Sequence, residues 1–153
     1  MAGKATLNAG EWTSFLSSVQ SKIKDPSALL KTAFMTAGFQ DIIKHFQDEK
    51  GPDGKWRPRS AETQAQYSLR NKRDSRYNPS NKLLQLTGFM RKAILPTNTK
   101  KISKNAIEIF NNAEYSNRHD MGTDGMPQRE FMWFSDSAKD RMAQIISSLA
   151  FGA

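Results

Sequence analysis

The sequence predicts an α+β fold: long N-terminal helices and a C-terminal helix packed on a small, mostly antiparallel β-sheet, with an extended basic arm. Three observations carry this. Apolar residues recur at helical spacing over 26–49 and again over 136–149, residues 105–111 alternate with the period of a strand, and 70–81 is a run of loop formers and cations. A chain of 153 residues is the size of one domain and can bury about two-thirds of the surface its unfolded form exposes, so 1–153 is read as a single domain.

Taken in order, residues 8–23 set Trp12, Phe15, Leu16, Val19 and Ile23 at steps of three and four, giving a first helix with Asn8 as its cap. Asp25-Pro26 opens the second, a cap followed by proline, whose missing N–H costs nothing at a helix start. Its apolar residues run from Leu29 and Leu30 to Ile42, Ile43 and Phe46, ending near Glu49. They wrap around more than one face: Leu30, Phe34 and Ala37 lie aside from Phe39, Ile42 and Phe46, with Gly38 between. Such a helix needs two neighbours, and a second subunit can be one of them.

Gly51-Pro52-Asp53-Gly54 stops that helix and sets a tight turn, and Trp56 just beyond can pin the turn onto a core. Ser60 caps a third helix over about 61–73, polar and basic, with only Ala65, Tyr67 and Leu69 as apolar material, hence surface-lying. Asn71 to Asn81 forms the arm. Leu83, Leu84, Leu86, Phe89 and Met90 gather around Thr87-Gly88 as a short helix before Ala93-Ile94-Leu95 turns extended, and a β-meander spans about 92–111.

Met121 to Pro127 is a loop, and Arg129 to Phe134 supplies an edge strand. Ser135-Asp136 caps a last helix with Ala138, Met142, Ile145 or Ile146, and Leu149 as its stripe. Of Phe131, Trp133 and Phe134, two belong in the core, which leaves Met132 or Trp133 for an interface.

Composition narrows the function. The absence of cysteine excludes disulfides and thiolate metal sites. No run approaches the roughly 20 apolar residues of a membrane span, and the first residues lack the apolar core of a secretory signal, so a soluble protein made in the cytoplasm is expected. A formal net charge of +8, from 23 Lys plus Arg against 15 Asp plus Glu, favours an acidic partner.

Catalytic signals are missing. Only His45 and His119 could act as a neutral-pH base and neither sits in a motif; His45 reads as an ordinary surface or half-buried histidine. His119-Asp120 with Asp124 lacks the ligand count of a calcium loop or zinc site, and the glycines stand in turns rather than in a phosphate-cradling loop. No catalytic residue, cofactor or metal is expected. The stretch 50–76 interleaves cations with Trp56, Tyr67 and Tyr77, as nucleic-acid binders do, but Glu49, Asp53, Glu62 and Asp74 dilute its field.

Three segments in fixed order carry more than any of these features. They are His45-Phe46-x-x-Glu49-x-x-Pro52-Asp53-Gly54-x-Trp56-x-Pro58-x-Ser60-x-x-Thr63, then Leu83-Leu84-x-Leu86-Thr87-Gly88-x-Met90-Arg91-x-x-Ile94, then Tyr115-x-x-x-His119-x-x-Gly122 with Pro127-x-Arg129-x-Phe131. Together they resemble the virion morphogenesis family of tailed bacteriophages, the tail-completion and head–tail joining proteins of Mu-like phages, over about 40–150. Two departures stand out: the arm is unusually basic, and the loop from Gly122 to Arg129 is short.

The resemblance implies a non-enzymatic virion protein that forms a ring, expected to be hexameric, at the neck between head and tail, assembled in the host cytoplasm. Its expected partners are copies of itself, head–tail connector or adaptor proteins, and tail tube or sheath proteins, with no membrane and with contact to packaged DNA open. Carried onto this sequence, Trp56, Thr87 and Gly88 are expected to be architectural, Arg129 and Phe131 a buried or intersubunit anchor, and Trp133 an interface residue. Arg70, Lys72, Arg73 and Arg76, read from this sequence alone, are the candidates for contact with a partner or DNA. The alternative reading is a basic nucleic-acid-binding accessory protein.

Overall fold

The computed structural model describes residues 4–7, 17, 19, 21, 25–85, 89–94, 100–103, 106–123 and 125–152. Its backbone follows the predicted α+β plan, with a long N-terminal helix packed on a C-terminal helix and small antiparallel sheets beside them. Most of the first expected helix lies outside the described residues; Ser17, Val19 and Ser21 are helical, and Val19 is fully buried.

Strand β1 (Lys4–Leu7) is an element the sequence did not announce, because four residues are too few to show a period. Helix α1 begins at Ser27, whose backbone N–H donates to the Asp25 carboxylate, and runs as Ser27–Ala33, a π turn Phe34–Gly38, and Phe39–Asp48. The π turn explains the two apolar stripes. At about 100° per residue, the extra residue of a π turn rotates the later stripe back toward the earlier one. Leu30, Ala33, Phe34 and Ala37 therefore enter the same core as Ile42 and Phe46. The offset that suggested a second neighbour is absorbed within one chain.

Gly38 marks where α1 meets helix α5 (Asp136–Phe151). A Cβ there would lie 2.9 Å from the Met142 sulfur and from Phe34, and 3.0 Å from Phe134. Ser135 caps α5 by accepting from the Ala138 N–H at 3.2 Å. Ala138, Met142 and Ile146 form the buried stripe, whereas Leu149, expected within it, is 53% exposed at the far end.

After α1, strands β2 (Lys50–Gly51) and β3 (Gly54–Lys55) pair as a minimal hairpin around Pro52-Asp53. Helix α2 (Ala61–Asn71) starts at the predicted cap, with Ser60 Oγ accepting from Thr63 N–H, but ends two residues short of the predicted 73. Residues beyond it are less extended than their composition suggested. A 3-10 turn covers Ser75–Tyr77, and the Asp74 and Asn78 side chains accept from the N–H groups two residues on.

Helix α3 (Phe89–Lys92) follows, then a turn at Ala93 and Ile94 where extended chain was expected. The meander is correspondingly shorter: β4 (Lys100–Ile102) and β5 (Ile107–Phe110) pair antiparallel, and β1 closes the other side of β5, in the order β1-β5-β4. Ile107 and Ile109 point into the core and Glu108 and Phe110 are half-buried, the alternation the sequence displayed. A short helix α4 (Ser116–Met121) then ends at Gly122, whose φ of 75° and 3.0 Å approach to the Gln128 nitrogen exclude a side chain.

The expected edge strand at 129–134 is absent. These residues cross the core as a strap with no ladder partner among the described residues, and side chains satisfy its backbone instead. Asp120 Oδ1 accepts from the N–H groups of Phe131 (3.0 Å) and Met132 (3.1 Å), His45 Nδ1 meets the Phe131 carbonyl at 3.0 Å, and Trp56 Nε1 donates to the Glu130 carbonyl at 2.9 Å. His45 is thus a buried structural residue, only 5% exposed, rather than an ordinary surface one.

Candidate functional site

The segment leaving β3 carries Arg57, Pro58 and Arg59 along the rim of an open cleft of about 1090 Å³. The inward side of α2 supplies one wall through Ser60, Thr63 and Tyr67. Leu83, Leu84 and Met90 give an apolar floor, and Tyr115 and His119 of α4 stand opposite with Met126, Pro127 and Arg129. No Asp or Glu is among these described lining residues.

Two arginines build the cleft. Arg129 is 7% exposed and donates through Nε to the Arg57 carbonyl at 3.1 Å and through Nη2 to the Pro58 carbonyl at 3.5 Å. Burial and then the nearby Arg59 push its pKa below the usual arginine value, with Tyr67 and Glu49 pulling the other way. Arg59 donates to the carbonyls of Asn81 (2.7 Å) and Lys82 (3.0 Å) and lies over the Tyr67 ring, 4.8 Å from its centroid. It ties the base of α2 to residues 81–82. Those residues in turn cap α1: Lys82 Nζ donates to the Gln47 carbonyl, and Gln85 Nε2 to that of Phe46 at 2.6 Å.

His119 presents a ring crossed edge-on by Tyr115, centroids 6.1 Å apart, and its Nδ1 is buried with no hydrogen bond among the described residues. Burial, then the charge of Arg129, lowers its pKa, so it stands neutral at pH 7. Asp120 next to it faces the strap, its pKa raised by burial against the pull of its two backbone N–H donors. Ser60 Oγ is spent on capping and on Thr63 Oγ1 at 2.9 Å, so it is not poised as a nucleophile. Among the described residues, no three His, Asp or Glu gather in a way that could hold a metal ion. The three arginines suit the arrangement to binding an anion.

The residues singled out from sequence fall in different places. Trp56 is 7% exposed, packed edge-on against Phe46 with centroids 5.9 Å apart, and is the pin expected of it. Arg129 and Phe131 are buried anchors within this chain. Trp133 is half-buried, stacked on His45 at 4.2 Å and 7°, its buried Nε1 without a hydrogen bond among the described residues; Met132, the other interface candidate, is buried. Thr87 and Gly88 lie outside the described residues.

The four arm cations stand away from the cleft lining and are unequal. All four are exposed, with Arg76 paired with Asp74 at 2.6 Å and Arg70 over the Tyr77 ring at 5.3 Å. Sequence reasoning missed Arg59 and Asp120, since nothing local in one dimension shows a guanidinium reaching 22 residues ahead or a carboxylate reaching 11.

No protein-family model matches this chain, and neither does any curated protein or solved structure. Among the described residues no helix is long and apolar enough to cross a membrane.

Proposed function

We propose that the chain is a structural virion assembly protein that forms a homo-oligomeric, expectedly hexameric, ring at the head–tail junction. In this role it completes the tail and joins it to the capsid connector, without catalysis. The observation that carries the reading is the joining of two motif segments that suggested it. Pro52 to Thr63 and Pro127 to Phe131 are locked together by Trp56 on the Glu130 carbonyl, 74 positions away, and by Arg129 on the Arg57 and Pro58 carbonyls. The spacing of these residues thus serves one piece of architecture rather than two unrelated turns.

Trp133 supports a role in assembly, because its half-buried ring, stacked on His45, keeps part of its apolar face at the surface, as an intersubunit contact would use. Adaptor proteins on the head side and tube or sheath proteins on the tail side are the partners this role requires.

The test is deletion of the gene in the phage or prophage that carries it, read by electron microscopy and by protein analysis of purified particles. The proposal expects the chain in intact particles, and separate filled heads and tails when it is lost. If particles lack it and heads still join tails, the proposal fails. A DNA affinity of the purified protein falling by about one log unit per log of salt for each phosphate contact would then favour the nucleic-acid-binding reading.

A further inference from the structure

The cleft joins three features that nothing in the assembly reading explains. None of the residues of α2 is buried, although a helix in a folded domain ordinarily hides one stripe; its inward residues, Thr63 and Tyr67, face the open cleft. Arg57, Arg59 and Arg129 bring three positive charges to it, the last two bonded to neutral carbonyls and none answered by a carboxylate among the described lining residues. Arg129 Nη1 makes no hydrogen bond among the described residues. Beneath them lie Leu83, Leu84 and Met90, an apolar floor.

We propose that this cleft is the docking site for an extended acidic peptide segment of a different protein, its carboxylates against Arg57 and Arg129 and its apolar side chains on Leu84 and Met126. A carboxylate supplies the missing counter-charge, and a planar guanidinium is shaped to receive it. The apolar floor gives alternate side chains a place to leave water, and the occupant gives α2 the packing it lacks. A single-stranded nucleic acid fits less well. Tyr67, the aromatic it would stack on, already has its face under Arg59 and an edge-on contact with Tyr77, centroids 5.5 Å apart. A second copy is disfavoured at this cleft alone, where three cations would meet a chain in which 23 Lys plus Arg outnumber 15 Asp plus Glu; contacts within the proposed ring would use other surfaces. The inference holds whether or not the protein belongs to a virion.

The experiment measures fluorescence anisotropy of a labelled eight-residue peptide alternating Glu and Leu, with the Gln–Leu peptide and a twelve-residue oligothymidylate as comparisons. The Glu–Leu peptide should bind at least about tenfold more tightly than the Gln–Leu peptide. Arg57→Glu and Met126→Asp should each weaken it by about tenfold or more without moving the unfolding midpoint. Arg73→Glu, the same change of net charge on the arm, should leave binding nearly intact. Equal weakening by Arg57→Glu and Arg73→Glu would mean attraction to overall charge and overturn the site. So would equal binding of the Gln–Leu peptide, oligothymidylate binding that Arg57→Glu abolishes, or light-scattering evidence of self-association that depends on Arg57.

Discussion

The strap at 129–135 and the arm from α2 to Asn81 are both built from polar residues and aromatics, yet one is buried and the other is not. In the strap, the side-chain hydrogen bonds reach across the chain, apart from the helix cap at Ser135: Trp56 to Glu130, Asp120 to Phe131 and Met132, Asp41 to Ser135. In the arm the bonds are local: Asp74 to Arg76, Asn78 to Ser80, Asn81 to the Arg76 carbonyl, with Arg59 the one long reach. Long-range bonds in a dry setting fix a tertiary structure, because an unpaired buried group costs more than a pair gains. Local bonds between exposed groups shape a surface and contribute little to holding the domain together. The same residue types therefore make a frame in one place and a presenting surface in the other.

The largest expected effect sits in the frame. Trp56→Ala removes a buried ring from Phe46 and leaves the Glu130 carbonyl unpaired, and should destabilise the protein by about 3–5 kcal/mol in urea unfolding. A cost under about 1 kcal/mol would put the indole outside the core and remove the contrast with the arm.

Asp41 sharpens the comparison through pH. Burial opposes its charge, but the approach of His45 Nε2 to 3.5 Å and hydrogen bonds from the Ser135 N–H and Oγ outweigh that and hold its pKa below the usual carboxylate value. A folded pKa below the unfolded one gives stability that is present above the unfolded value, about 3.9, and lost as pH falls through the folded one. Asp41→Asn should thus cost about 1–3 kcal/mol at pH 7, with the gap to the wild type closing below about pH 4. Asp120 acts in the opposite sense, since its raised pKa makes the folded state lose stability as pH rises through the carboxylate range. A gap that stayed constant with pH would show that the Asp41–Ser135 contact is not ionic.

Gly38 tests the packing behind the strap. Gly38→Ala should cost about 1–3 kcal/mol by overpacking against Met142 and Phe34, and pairing it with Met142→Ala should cost less than the two singly, because the methyl group then has room.

How much of this was legible depends on how far each interaction reaches. The caps at Ser60 and Ser135, the alternation of Ile107 and Ile109, and the burial of Trp56 are written in a few adjacent residues, and reading the chain recovers them. Helix α1 was legible as a helix but not as a π-bulged one: the two offset stripes were visible, and a second neighbour explained them as well as an inserted residue did. The strap was misread as a strand because Arg129 to Phe134 has strand composition, while the groups that replace its ladder, Asp120 and His45, lie 11 and 86 positions from Phe131. The cleft was not legible at all. Its walls come from four separated segments, and its charge is set by three arginines drawn from two of them.

The smallest stability effect belongs to the arm, and there the comparison is most exposed to failure. Lys72 and Arg73 follow the end of α2, exposed and unburdened by any packing role, so the double variant Lys72→Ala/Arg73→Ala should leave the unfolding midpoint where it is. Trypsin should nevertheless find this point first, because cleavage needs several residues of backbone to open locally, and here nothing buried has to be given up. In the wild type the first cut is expected at Lys72 or Arg73, and in the double variant it should move to another exposed site rather than into 26–48, where Leu30, Phe34, Ile42 and Phe46 anchor α1 in the core. An early cut within α1 would mean that the frame opens as readily as the arm, and the division between them would lose its physical basis.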